Sequence, residues 1–274
     1  MPSFKKNQNL LEEIKKAVQP YVKPALHLIA SDNKSVFSKI GSRPEVPKEF
    51  QWPTWNGQSL AFVLQLKFSE INGSGYLPHL PTAGLLYVFY DPSQSTWGFD
   101  PKDEGSWRLL FFEETDVLES APYPNDLELH YQQKHIKAKP IDTYPPIDAE
   151  IIDTLFEGDE GKEEAYEEFR SQVYEKRPWH QLGGYSDPIQ NYNMDLECQL
   201  VSNGLYCGDK SGYEDQRAEY LAKNQSDWIL LLQIDSDDEA EMCWCDCGRL
   251  YFWIKKNDLA AGNFDDVWMI LQCY

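Results

Sequence analysis

LAFVLQL at residues 60–66 and WILLLQI at residues 228–234 are apolar runs of strand length, each interrupted by a single glutamine, Gln65 and Gln233. Runs this short, bounded by turn-forming residues, read as buried strands rather than helices. A glutamine inside such a strand must find hydrogen-bond partners. Each is therefore expected to pin a neighbouring loop, with a ligand site shared between the two as the alternative. The same order of elements recurs around both runs. SKIGSRPEVP (38–47) precedes the first and HQLGGYSDPIQ (180–190) lies ahead of the second. GLLYVF (84–89) and GRLYFWI (248–254) follow, and then WRLLFFE (107–113) and WMILQCY (268–274). The spacing from glutamine to glycine is 19 and 15 residues, and from glycine to tryptophan 23 and 20. Four matches in one order, with Gln, Gly and Trp coinciding, point to an internal duplication. Two related β units then cover each other's apolar faces.

The fold expected is a single β-rich α+β domain over residues 1–274. It has two antiparallel units, at about 35–115 and about 179–274, with an N-terminal helix and an acidic helical insert at about 145–178. Asn9 with Glu12 three residues on reads as the cap of the N-terminal helix, which Pro20 and Pro24 stop. PPIDAEIIDTLF (145–156) and the acidic run 157–176 carry apolar residues at helical spacing. Residues 213–224 read as a further helix, and 255–264 as one helical turn. ALHLIAS (25–31) reads as a strand.

The chain has 274 residues with 25 basic and 45 acidic side chains, a formal charge of −20. That charge repels nucleic acid and anionic lipid and suits a basic protein partner. No apolar run reaches the ~18 residues of a membrane span, and the N-terminus has no signal-peptide core. A cytoplasmic location follows as the expectation, with six reduced cysteines. Three of these stand in CWCDC (243–247). Read as extended chain, that spacing suits neither a zinc knuckle nor a disulfide, so buried or half-buried thiols are expected in a strand or its leading loop.

Candidate site residues cluster in WHQLGGYSDPIQ (179–190). Trp179, His180, Gln181 and Gln190 could line a pocket, while Gly183 and Gly184 permit close backbone approach. A structural turn is the competing reading. DSDDEAE (235–241) offers Asp235 and Asp237 to a cation, but Ala240 stands where a calcium loop needs glycine. No phosphate loop, dinucleotide fingerprint, nucleophile elbow or zinc-protease motif is present, so no cofactor, metal or catalytic residue is assigned. Two function classes result. The first is a non-enzymatic binding protein with an acidic surface. The second is an enzyme or small-ligand binder using a cleft between the units, near His180 and Asp235.

The SKIG…P…P…WP segment, HQLGGYSDPIQ, LLLQIDSD and CDCGRLYFWIKKNDLAAGNFDDVW together resemble the YwqG-like family of uncharacterised bacterial proteins. The likeness runs from about residue 35 to the end. Cys245 stands where that family often has glycine. The resemblance implies a β-rich fold without an established activity. Occurrence of members near toxin systems implies an immunity-type binding role towards a basic partner.

Overall fold

A computed structural model describes residues 2–274, with side chains from residue 9 onward. Ten strands form one antiparallel sheet. They are β1 (Lys23–Ala30), β2 (Lys39–Ile40), β3 (Ala61–Lys67), β4 (Leu85–Tyr90), β5 (Trp107–Phe112), β6 (Lys134–Thr143), β7 (His180–Leu182), β8 (Trp228–Asp235), β9 (Arg249–Lys255) and β10 (Trp268–Gln272). Their order across the sheet is β10-β9-β8-β7-β1-β6-β2-β3-β4-β5. The four strands of each expected unit are thus neighbours, and β1 with β6 stands between the two groups.

The apolar runs exist because both faces of these strands are covered. On β4, Leu86, Val88 and Tyr90 face the main core, while Leu85, Tyr87 and Phe89 join a second cluster with Val46, Leu60 and Phe62. The main core is continuous across both strand groups, from Leu64 and Val88 to Leu232 and Phe252. The sheet curls so that its two edges approach. Trp107 of β5 and Trp268 of β10 meet edge to face with ring centroids 5.0 Å apart. The Trp107 indole N–H donates to Val267 O at 2.8 Å, and that of Trp268 donates to Gly98 O at 2.8 Å.

The two strand groups repeat their polar contacts. Gln65 and Gln233 are fully buried. The amide oxygen of Gln65 accepts from Glu45 N–H at 2.9 Å, and its NH₂ donates to Phe37 O at 2.9 Å. Gln233 accepts from Asp187 N–H at 2.9 Å and donates to Trp179 O at 3.2 Å. Tyr87 donates to Glu45 O at 2.6 Å, and Tyr251 to Asp187 O at 2.8 Å. Strand β3 carries a bulge between Phe62 and Leu64, and β8 one between Leu230 and Leu232. The N–H groups of Gly41 and Gly183 donate into these bulges, to Val63 O and Leu231 O. Gly41 has φ +63°, and a Cβ there would lie 2.3 Å from Gln132 O, so no other residue fits.

Three helices form a separate layer. Helix α1 (Pro2–Val18) begins well before Asn9, so Asn9 is interior to the helix and not its cap. Pro20 follows in a 3₁₀ turn, Gln19–Tyr21. Helix α2 (Glu150–Phe156) and helix α3 (Glu160–Val173), capped by Asp159, pack on α1 through Ile14, Val18, Ile152, Phe156, Tyr166 and Phe169. The helix expected over 213–224 is only Ala218–Ala222, and the turn expected over 255–264 spans Lys256–Ala260.

Replacing Gln233 by methionine keeps the volume but strands one buried N–H and one carbonyl. The expected cost is about 2–4 kcal/mol in urea unfolding. Gln65→Met, which strands Glu45 N–H and Phe37 O in the same way, is expected to cost a similar amount. A loss below about 1 kcal/mol in either variant would show that the loops hold without the amides.

Candidate functional site

The residues of the 179–190 segment converge, and they do so around an ion cluster. Asp235, at the end of β8, accepts from Trp179 N–H at 2.8 Å. Its other oxygen takes Arg249 Nε at 2.9 Å. Arg249 is 2% exposed and also pairs with Asp187 Oδ2 at 2.8 Å. Arg177 reaches Asp187 at 2.7 Å and Asp235 at 3.4 Å, and Arg170 reaches Asp187 at 3.3 Å. A buried ion pair repays its desolvation only when further hydrogen bonds satisfy it, as they do here. Arg249 and Asp187 were not singled out from the sequence. The signals were one arginine inside the apolar run RLYFWI and the lone carboxylate of HQLGGYSDPIQ.

His180 is 2% exposed, and both ring nitrogens are engaged. Asp235 N–H donates to Nδ1 at 3.1 Å, so the ring proton sits on Nε2 and faces Asp237 Oδ2 at 3.2 Å. Lys134 of β6 pairs with the same oxygen at 2.8 Å. Burial opposes the charge on Asp237, but the hydrogen bonds from His180 and Lys134 outweigh it and hold the carboxyl well below its usual range. Trp179 stacks on His27 at 4.0 Å, and burial lowers the His27 pKa to about 4 with a further contribution from His180. Gln181 accepts from the Trp179 indole and donates to Gly183 O and Tyr185 O, each at 2.7 Å. Gly184 has φ +73°, and a Cβ there would meet Thr143 Oγ1 at 2.5 Å. Gln190 donates to Cys273 O at 2.9 Å. Gln65 lies in the other strand group. This constellation is tied to itself and opens into none of the described cavities.

CWCDC is a turn rather than extended chain. Cys245 and Cys247 have φ of +48° and +52°, and all three thiols are exposed, where buried or half-buried ones were expected. Its buried member is Trp244, which meets Tyr90 and Tyr131 edge to face and donates to Asp235 O. Gln94, from the first strand group, holds the turn by accepting from Cys245 N–H at 2.8 Å and donating to Cys243 O at 2.9 Å. Among the described residues no three His, Cys, Asp or Glu side chains are placed to hold a metal.

A cavity lies elsewhere, at the seam where the sheet edges meet. It has a volume of about 520 Å³. Trp107 and Leu109 come from β5, Trp228 and Lys255 from the outer ends of β8 and β9, and Phe264 to Trp268 from the loop into β10. The floor is apolar and buried, and the rim carries Glu104, Arg108, Lys255, Asp265 and Asp266. Sequence reasoning missed it because its walls are separated by more than a hundred residues of chain. The repeat of tryptophans at the start of the last strand of each unit was the one available signal.

The profile of a family described as a domain of unknown function, DUF1963, matches residues 38–273. The chain belongs to the DUF1963 family. No curated protein matches it. The DUF1963 match takes in β2 through β10, the ion cluster and the seam cavity, and leaves out α1 and β1.

Within the DUF1963 region one buried acid stands apart from these ion pairs. Glu197, in helix α4 (Met194–Val201), is 4% exposed. It accepts from Tyr213 O–H at 3.1 Å and from Asn191 at 3.2 Å through Oε1, and Oε2 has no partner. Burial pushes its pKa up to about 7, against those two hydrogen bonds, with Asp195 adding to the rise. A raised carboxyl pKa means that the folded state holds the proton more tightly than the unfolded chain. Its contribution is full below the ordinary glutamate pKa and lost as pH rises through 7. Wild type is therefore expected to lose on the order of 3 kcal/mol relative to Glu197→Gln between pH 4.5 and pH 8. Denaturant unfolding of both proteins across that range checks this, and parallel curves would refute it.

Proposed function

We propose that this protein is a binding protein whose ligand is a small molecule seated in the seam cavity between the two strand groups. The observation that carries this is the cavity itself. A volume of about 520 Å³ falls within the size range of small-ligand sites, and here aromatic rings meet a charged rim. Its lining includes no histidine or cysteine. The chemically richest residues, His180, Asp235 and Asp237, are committed to each other and to Arg249 and Lys134, which supports binding over catalysis. A library of small aromatic fragments screened by two-dimensional NMR on ¹⁵N-labelled protein tests the reading. Hits are expected to shift the indole N–H signals of Trp107, Trp228 and Trp268. Absence of hits, or hits that move only signals outside the cavity, would overturn it.

A second reading, a basic protein partner, has one observation in its favour. Residues 148–168 hold ten carboxylates and one lysine, and that lysine, Lys162, is paired with Glu13 at 2.9 Å. This net −9 lies on the outer side of α2 and α3, whose inner side is fixed by the α1 cluster. An immunity-like role is one form such recognition takes, and a cytoplasmic setting suits it. Binding of a lysine-rich peptide, followed by fluorescence anisotropy, is expected to weaken about tenfold when Glu160, Glu164 and Glu167 become glutamine. Equal weakening from neutralising Glu104, Asp265 and Asp266 instead would make the effect one of net charge alone.

We further infer that the two strand groups descend from one duplicated module and that the chain lies in the YwqG-like branch of its family. The matched roles of Gln65 and Gln233, of Tyr87 and Tyr251 and of Gly41 and Gly183 support the duplication. The motifs from SKIG to the C-terminal tail support the branch.

A further inference from the structure

We propose that the seam cavity takes a small amphoteric molecule with an aromatic body, of the class of the free aromatic amino acids. This rests on the reading of the cavity as a ligand site and adds the chemistry of the ligand.

The floor sets the body of the ligand. Trp107, Leu109, Trp228, Phe264, Val267 and Trp268 are all buried. The three indole N–H groups are already spent, on Val267 O, Gln199 Oε1 and Gly98 O, each at 2.8 Å. What these rings offer the cavity is therefore π surface and apolar edge, which selects a planar apolar group through stacked or edge-to-face contact.

The rim sets the polar groups. Arg108 and Lys255 form no ion pair among the described residues, in a chain where acids outnumber bases by 45 to 25. Arg108 spends one guanidinium nitrogen on Trp107 O at 3.1 Å and keeps the rest of its fork. Lys255 Nζ stands 5.0 Å from the Trp228 ring centroid, held over the indole by cation–π attraction. Glu104, Asp265 and Asp266 share the same rim and are likewise unpaired with any cation among the described residues. So two cations and three carboxylates surround one aromatic floor without pairing with each other. A purely anionic ligand satisfies Arg108 and Lys255 but meets the carboxylates. A purely cationic one satisfies the carboxylates but meets Arg108 and Lys255. A ligand with one carboxylate and one ammonium on an aromatic side chain satisfies both sets at once, with a charge-assisted hydrogen bond to the guanidinium fork. The volume of about 520 Å³ holds such a molecule together with bridging water.

The test uses the full chain and three probes that share one ring system. L-Tryptophan carries both charges, indole-3-propionate lacks the ammonium, and tryptamine lacks the carboxylate. Titrations followed at the indole N–H signals of Trp107, Trp228 and Trp268 are expected to show tryptophan bound at least about tenfold more tightly than either partial analogue. Arg108→Gln, at an exposed position, is expected to weaken tryptophan about tenfold and leave tryptamine unchanged. Indole-3-propionate or tryptamine binding as tightly as tryptophan would overturn the proposal. So would an Arg108→Gln variant that weakens all three probes alike. If fragments seat in the cavity but tryptophan does not, only the amphoteric assignment fails. If nothing seats there, the cavity reading fails with it.

Discussion

An amide inside an apolar strand has to be paid for by two partners, and this fold supplies them twice. Gln65 and Gln233 each reach sideways from a buried strand to one N–H and one carbonyl of a preceding segment. Each of those segments, 37–45 and 179–187, holds a short sheet strand, β2 or β7, and the amides fix the backbone on either side of it. The tyrosines one strand over, Tyr87 and Tyr251, fasten the same backbone from the other side. Much else depends on this. The 179–187 segment brings Asp187 to Arg249, and Trp179 to His27 and Asp235. Gln233, with the Tyr251 hydroxyl, holds the Asp187 backbone beside Arg249, and a buried arginine that loses its partner is strongly destabilising.

The two groups use this device to different ends. In the second, Arg249 opens β9 opposite Asp235. In the first, the equivalent register pairs Leu85 with Lys67, and Glu45, the counterpart of Asp187, is exposed. The buried Arg249–Asp235 pair thus has no equivalent at the matching register of the first group. The same holds for CWCDC. Its backbone is clamped by Gln94 and its one buried side chain is Trp244, so the sulfurs point outward and carry no packing.

What was legible in the sequence followed from local pattern. Strands β3, β4, β5, β8, β9 and β10 are apolar runs bounded by turn residues, and both acidic helices carry a clear apolar stripe. What was not legible depended on partners. Strand β6, KHIKAKPIDT, has three lysines and a proline and lacks an apolar run. It is a strand because β1 pairs along residues 136–143. Pro140 is tolerated because β2 reaches only Lys134 and His135, leaving that flank of β6 without a neighbour. The start of α1 was misplaced because Asn9 resembles a cap locally while the helix continues through it. Of the candidate site, the clustering of the 179–190 residues with Asp235 and Asp237 was foreseeable from composition, but their mutual saturation was not. The seam cavity was invisible because its walls meet only when the sheet curls.

Strand β1 carries a consequence for biosynthesis. Together with β6 it joins the two groups, pairing with β7 on one side and with β6, which pairs β2, on the other. Yet it is made before both of its partners, which begin at Lys134 and His180. At ribosomal speeds of about 5–20 residues per second, Leu26 and Leu28 leave the tunnel roughly five to twenty-five seconds before either neighbour exists. During that interval an apolar strand with two open edges is a template for any other chain, the hazard that chaperones shield. Closure of the sheet across β1 therefore waits on strands made more than a hundred residues later.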